Sequence, residues 1–146
     1  MISDQRLREP QRVVAHFKDG RIIKGYTHDF IPPLKNFTIT SGERSDDISE
    51  IHTTELKALF FVKSFEGNKQ YIAKNTFDDA YMIDRQGLKV KVTFSDGEVM
   101  RGTTPDPARI FKGFFIIPVD PKGNNDKVYV EADSTVQIQI GTKAAT

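Results

Sequence analysis

Val13-Val14-Ala15-His16-Phe17-Lys18-Asp19-Gly20-Arg21-Ile22-Ile23-Lys24-Gly25-Tyr26-Thr27 is the stretch that decides the fold of this chain. Val13, Ala15 and Phe17 alternate with Val14, His16 and Lys18, the period-two pattern of a strand with one buried face. Asp19-Gly20 then supplies residues that tolerate positive φ, so residues 21–27 return as an antiparallel partner. Gly25 interrupts that partner, and a missing side chain inside a strand marks a bulge, a sharp bend or a close backbone approach.

The same stretch returns further along the chain. Residues 13–63 align with 90–140 at a constant offset of 77 and without a gap. Identities include Phe17/Phe94, Asp19/Asp96, Gly20/Gly97, Gly25/Gly102, Asp29/Asp106, Phe37/Phe114 and Ile39/Ile116. Further along, the constant offset pairs Ile51 with Val128, His52 with Tyr129, Leu59 with Val136 and Phe61 with Ile138. An internal duplication accounts for both the spacing and the conservative pairs.

Beyond the hairpin, Pro32-Pro33 in one copy and Pro105 with Pro107 in the other impose a connection outside the sheet, because proline cannot donate to a ladder. Third strands are expected near 36–40 and 113–118, fourth strands near 48–53 and 127–131, and fifth strands near 58–63 and 135–140. The Gly-, Asn- and Asp-rich residues 42–47 and 120–126 read as turns between them. Five short strands in about fifty residues leave no room for a crossover helix. The expectation is therefore all-β: two tandem five-stranded SH3-like or Sm-like barrels at 13–63 and 90–140. A polar segment (1–12) precedes them, a linker (64–89) joins them and a flexible tail (141–146) follows. Asn75 ahead of Asp78 and Asp79 suits one helical turn in the linker. Its Phe65, Tyr71, Phe77 and Tyr81 argue that it packs across the barrels instead of acting as a free tether.

The 146 residues carry 21 Lys plus Arg against 20 Asp plus Glu, a net charge of +1 that disfavours nucleic acid as the default partner. With no Cys, disulfides, thiolate metal sites and Cys nucleophiles are excluded. No apolar run approaches the roughly 20 residues of a membrane helix. The polar N-terminus lacks a secretory signal, so a cytoplasmic location without membrane contact is expected.

The two copies differ on their outer faces. In the fifth strand Phe60 and Val62 oppose Gln137 and Gln139 of the second copy, and in the third strand Thr38 and Thr40 become Phe115 and Ile117. Exposed apolar clusters on small domains mark interfaces. Phe60, Val62, Phe115 and Ile117 are thus candidate interface residues, either holding the repeats together or meeting another chain, a homo-oligomer included.

The run from Val13 through Asp19-Gly20-Arg21 and Gly25 to Asp29, followed by Asn36-Phe37-Thr38-Ile39, resembles the first sequence motif of Sm-like proteins. That resemblance implies a strongly bent five-stranded barrel whose relatives form rings by strand addition and bind RNA. It would place RNA contacts on Asp29 and Asn36, and on Asp106 and Gly113 in the second copy. The whole chain is also similar to a group of uncharacterised bacterial domains, through residues 55–62, 113–118 and 128–130, a likeness that carries no activity. Fold alone does not license function.

No catalytic constellation is visible. His16, His28 and His52 fall in no shared motif, and neither H-E-x-x-H, G-x-S-x-G nor a phosphate-cradling loop occurs. Neither catalytic residues, a metal site nor a cofactor is expected. A local basic row of Arg21, Lys24 and Lys35, mirrored by Arg101, Arg109 and Lys112, lies near Tyr26, Phe30 and Phe111, which suits stacking on single-stranded RNA. A solvated strand and loop face protected against edge pairing is the preferred reading of it. Arg8 and Arg12 have the R-x-x-x-R spacing of cyclic-dinucleotide-binding PilZ domains, without the D-x-S-x-x-G that follows it there. The expectation is a non-enzymatic binding or adaptor module for a protein partner, acting through barrel edges or loops. The RNA-binding and cyclic-dinucleotide readings follow in that order.

Overall fold

The computed structural model describes residues 9–41, 47–77 and 87–145. Expectations that fall on Arg8, on residues 42–46 of the first turn, or on Asp78 to Tyr81 lie outside them. Within them the chain is all-β: β1 (Gln11–Phe17), β2 (Ile22–Thr27), β3 (Asn36–Thr40), β4 (Ile48–His52), β5 (Leu56–Val62), β6 (Leu88–Phe94), β7 (Val99–Thr104), β8 (Gly113–Pro118), β9 (Asn125–Glu131) and β10 (Thr135–Ile140). Short 3-10 turns at Thr53–Glu55, Pro107–Arg109, Ala132–Ser134 and Gly141–Ala145 are the only helical pieces among the described residues. None is long or apolar enough to cross a membrane. Asn75, Thr76 and Phe77 are not helical. Asn75 instead spends its side-chain amide on β7, donating to the Val99 carbonyl and accepting from the Arg101 N–H.

All ten strands join one antiparallel sheet, in the order β10-β6-β7-β8-β9-β5-β1-β2-β3-β4. The sheet is open at β10 and β4. The first and last five strands follow the same internal order, and the link between them is a direct pairing of β5 with β9. Two separate five-stranded sheets were expected, and the pairing of β5 with β9 makes one continuous ladder.

Local chemistry explains the shared hairpins. Gly20 and Gly97 hold φ of 94° and 93° in the two Asp-Gly turns, a region costly for residues with a Cβ. At Gly25 and Gly102 the neighbouring strand runs so close that a Cβ would overlap the Thr40 and Ile117 carbonyls, the backbone approach anticipated from sequence.

The halves correspond with one step, which corrects the gapless alignment. Val13 opposite Gly25 matches Val90 opposite Gly102, an offset of 77. Ala15 opposite Leu59, however, matches Val92 opposite Ile138, which puts Leu59 with Ile138 at an offset of 79. The main-chain bonds show the same step: Lys18 N–H donates to Glu55 C=O, and Ser95 N–H to Ser134 C=O. The two added residues lie in the turn between β8 and β9. Phe61 accordingly matches Ile140, Ile51 matches Val130 and His52 matches Glu131, where the constant offset had paired them with Ile138, Val128 and Tyr129. A step of two preserves the alternation of a strand, so the constant offset kept face parity although its partners were wrong, and Val136, which it matched to the buried Leu59, is largely exposed.

Two hydrophobic clusters lie on opposite faces of β5. Leu59 and Phe61 join Val13, Ala15, Phe37, Ile39 and Ile51, while Ala58, Phe60 and Val62 join Val90, Val92, Phe114, Ile116 and Val130. One strand therefore serves both cores, and neither core is complete within its own half. The linker is tied down as well. Phe65 packs on the second cluster, and Asp120 accepts from the Tyr71 hydroxyl (2.5 Å) and from the main-chain N–H of Lys74 and Lys122 (both 2.9 Å). The Tyr71 hydrogen bond leads in holding the Asp120 carboxyl below its usual pKa.

Candidate functional site

The four candidate interface residues lie near the β5–β9 seam or on β8 beside it. Phe60 and Val62 are buried in the second cluster. Phe115 is half-buried, packed against the first, and Ile117 is half-buried opposite Thr103 of β7.

Asp29 and Asp106 act as loop clamps. The Asp29 carboxylate accepts from the Thr27 hydroxyl (3.1 Å), the Thr38 N–H (3.0 Å) and the Thr38 hydroxyl (2.9 Å). Burial pushes its pKa up, but these hydrogen bonds outweigh it and leave the carboxyl below its ordinary value. Asp106 repeats the arrangement with the Thr104 hydroxyl (2.9 Å) and the Phe115 N–H (3.3 Å). Asn36 Oδ1 lies 2.6 Å from His52 Nδ1. Of the positions to which the Sm-like resemblance assigns RNA contacts, Asp29 and Asp106 are therefore engaged in clamping their loops, and Asn36 contacts His52 on the neighbouring strand.

The basic residues do not form one patch. Arg21 donates to Asp19 (2.8 Å) and lies over the Phe17 ring (4.6 Å). Lys24 reaches the Phe65 carbonyl (3.5 Å), Arg101 the Asn75 carbonyl (3.1 Å) and Arg109 the Gly113 carbonyl (3.1 Å). The carbonyls of Lys35 and Lys112 accept from Thr53 and Ala132, and Phe111 is largely exposed between Arg109 and Lys112. The three histidines are also apart. His16 stacks on Phe60 (4.6 Å), with burial the leading cause of its lowered pKa, His28 lines a groove on the sheet face, and His52 sits by Asn36. Among the described residues no three His, Cys, Asp or Glu side chains are grouped to hold a metal ion.

What the fold does bring together is an aromatic groove across the seam. Phe30, on the loop after β2, meets Phe115 of β8 (6.3 Å between ring centres) and Tyr129 of β9 (4.9 Å). Phe115 in turn meets Phe61 (6.0 Å) and Tyr129 (5.3 Å). Phe30 and Phe115 are half-buried and floor a groove of about 670 Å³ with Pro10, His28, Ile31 and Lys127 at its walls. It continues past Pro10 and Lys127 into a smaller hollow of about 240 Å³ beside Arg12, Tyr26 and Phe61. A separate cleft of about 510 Å³ opens between the two Asp-Gly hairpins, where Lys57 bridges to Asp96 (2.7 Å) and to Glu98.

Sequence reading named Phe30 and Phe115 but missed Tyr129, Lys127 and Phe61 as their neighbours. The signal was present in the differences between copies. With the corrected offset Lys127 stands where the first half has Ile48, and Tyr129 where it has Glu50, and these changes flank the seam. Gly113 belongs to the same set, since a Cβ there would overlap the Tyr129 hydroxyl.

No curated protein and no solved structure matches the chain. A family model described as a family of unknown function, DUF6982, matches residues 9–141, and the chain belongs to that family.

Proposed function

We propose that the chain is a tandem of two SH3-like, Sm-like barrels docked by strand addition, and that it works as a non-enzymatic binding module for a protein partner. Support for the tandem comes from the strand order common to both halves, the paired Asp-Gly hairpins, the close approaches at Gly25 and Gly102, and the Asp29 and Asp106 clamps. The observation that carries the binding reading is the half-open aromatic groove, with Phe30 from one half and Phe115 and Lys127 from the other. Junctions between packed units are preferred places for ligand sites, and half-exposed aromatic side chains supply contact area there at low entropic cost.

The groove is favoured over the sheet edges. Where the seam carries Ala58, Phe60 and Val62, the matching positions of β10 and beyond carry Gln137, Gln139 and Gly141. Polar residues at those places discourage another strand from docking.

Affinity capture from lysate, with and without nuclease, tests the proposal when run on the wild-type chain and on a Phe115→Asp variant shown to be folded. The same proteins recovered under both conditions and lost from the variant would support it. Recovery of RNA alone, abolished by nuclease, would replace it with the RNA-binding reading, and selective retention of a cyclic dinucleotide with the third.

A further inference from the structure

The chemistry of the groove narrows the partner. The Lys127 ammonium lies over two rings, 4.7 Å from the centre of Phe61 and 4.9 Å from that of Phe115. Among the described residues it has no carboxylate within ion-pair distance and no hydrogen-bond acceptor. Its neighbour Asp126 points to Lys63 instead (3.9 Å), and Glu9 lines the same groove without an ion pair to Lys127. Further along, the Arg12 guanidinium lies over Tyr26 and Phe65 (6.0 and 5.8 Å) and donates to the Lys63 carbonyl. Ring faces attract these cations but leave their N–H donors with capacity to spare.

The pairing of Lys127 with Phe115 has no counterpart at the matching place in the first half. At the free β4 edge, Ile48 and Thr38 occupy the places of Lys127 and Phe115. The groove is continuous with the β5–β9 interface, because Phe61 and Lys127 are opposite one another in that pairing. An ammonium set among rings, with no carboxylate within ion-pair distance among the described residues, complements an anion carried on an apolar chain.

Resting on the protein-binding reading above, we propose that the groove takes an extended acidic segment of a partner protein. An apolar side chain of that segment would lie on Phe30 and Phe115, and an adjacent Asp or Glu carboxylate would pair with Lys127. The smaller hollow beside Arg12 then receives the next residues of the segment.

Selection of random peptides displayed against the full-length chain tests this directly. Wild type enriches peptides with Asp or Glu next to an apolar residue, and their binding weakens as salt is raised. For a synthetic copy of a selected peptide, Lys127→Met lowers affinity about tenfold, since the substitution keeps the packing over the rings and removes the charge. Lys127→Glu shifts preference to the same peptide with Lys in place of its acid, a gain of binding that damage to the fold cannot produce. Enriched peptides without an acidic requirement, or equal affinity for Lys127→Met and wild type, would overturn the acidic-segment proposal while leaving the protein-binding reading in place. No enrichment over a blocked surface would overturn both.

Discussion

Leu59 of β5 and Tyr129 of β9 stand directly opposite one another, and their side chains enter the same hydrophobic cluster. The next residue, Phe60, faces Val128 and enters the other cluster. Each step along the seam therefore alternates between two cores, which makes the halves mechanically dependent. Phe60→Ala removes a buried ring from a core assembled mostly by the opposite half, at a cost of about 3–5 kcal/mol. Denaturant unfolding followed by circular dichroism shows the transition moved to lower denaturant but still single. Two separated transitions would mean that the halves are independent.

Asp29 sets the acid dependence of its loop. Its carboxyl titrates below the unfolded value because the hydrogen bonds from Thr38 and Thr27 outweigh burial, so it stabilises the fold above the unfolded pKa. That contribution disappears as pH falls through the lowered folded pKa. Asp29→Ala, which leaves the Thr38 N–H without its acceptor, costs about 1–3 kcal/mol at neutral pH. Unfolding free energy against pH is flatter below pH about 4 for Asp29→Asn than for wild type, the range in which a free Asp titrates.

Gly113 and Tyr129 are coupled by shape. Gly113→Ala drives a methyl group into the Tyr129 hydroxyl and destabilises by about 1–3 kcal/mol, the usual range for overpacking. Adding Tyr129→Leu recovers part of the loss, so the two changes are non-additive in a double-mutant cycle. Strict additivity would show that the contact is relieved at no cost.

The open ends of the sheet do not repeat its internal seam. If β10 of one molecule met β4 of another in the seam's register, Gln139 would face Ser49 where Phe60 faces Val128. Sedimentation of the wild-type chain is expected to give the mass of a single polypeptide. The pair Gln139→Phe with Ser49→Val restores apolar residues to both ends and is expected to produce larger, concentration-dependent species. Wild-type chains that already assemble through these edges would contradict the protective role of the polar residues.

Much of this architecture was legible because it is local. Alternation in Val13, Ala15 and Phe17, the Asp-Gly turns and the interrupting glycines each act over a few residues, and the structure keeps them. The partner pairs of the fourth and fifth strands were misread because inserting two residues after β8 leaves face parity intact and so leaves no trace in hydrophobic pattern. The seam was harder still, since nothing local in Leu56–Val62 says that its second edge meets Asn125–Glu131. The apolar Phe60 and Val62 marked a face to be covered without naming its cover. Within the groove, Phe30 and Phe115 could be named singly, whereas Lys127 acquires meaning only from the two rings brought beneath it.

Residue-resolved hydrogen exchange along β9 tests the seam most directly. Thr38 and Phe115 turn their N–H groups to the Asp clamps and away from the following strand, so in β9 Val128 and Val130 bond to β8 while Lys127 and Tyr129 turn to β5. If β5 and β9 are paired as described, the amides of Lys127 and Tyr129 are protected to the same degree as those of Val128 and Val130. Rapid exchange at Lys127 and Tyr129 beside slow exchange at Val128 and Val130 would show that β9 is a free edge and would contradict the account.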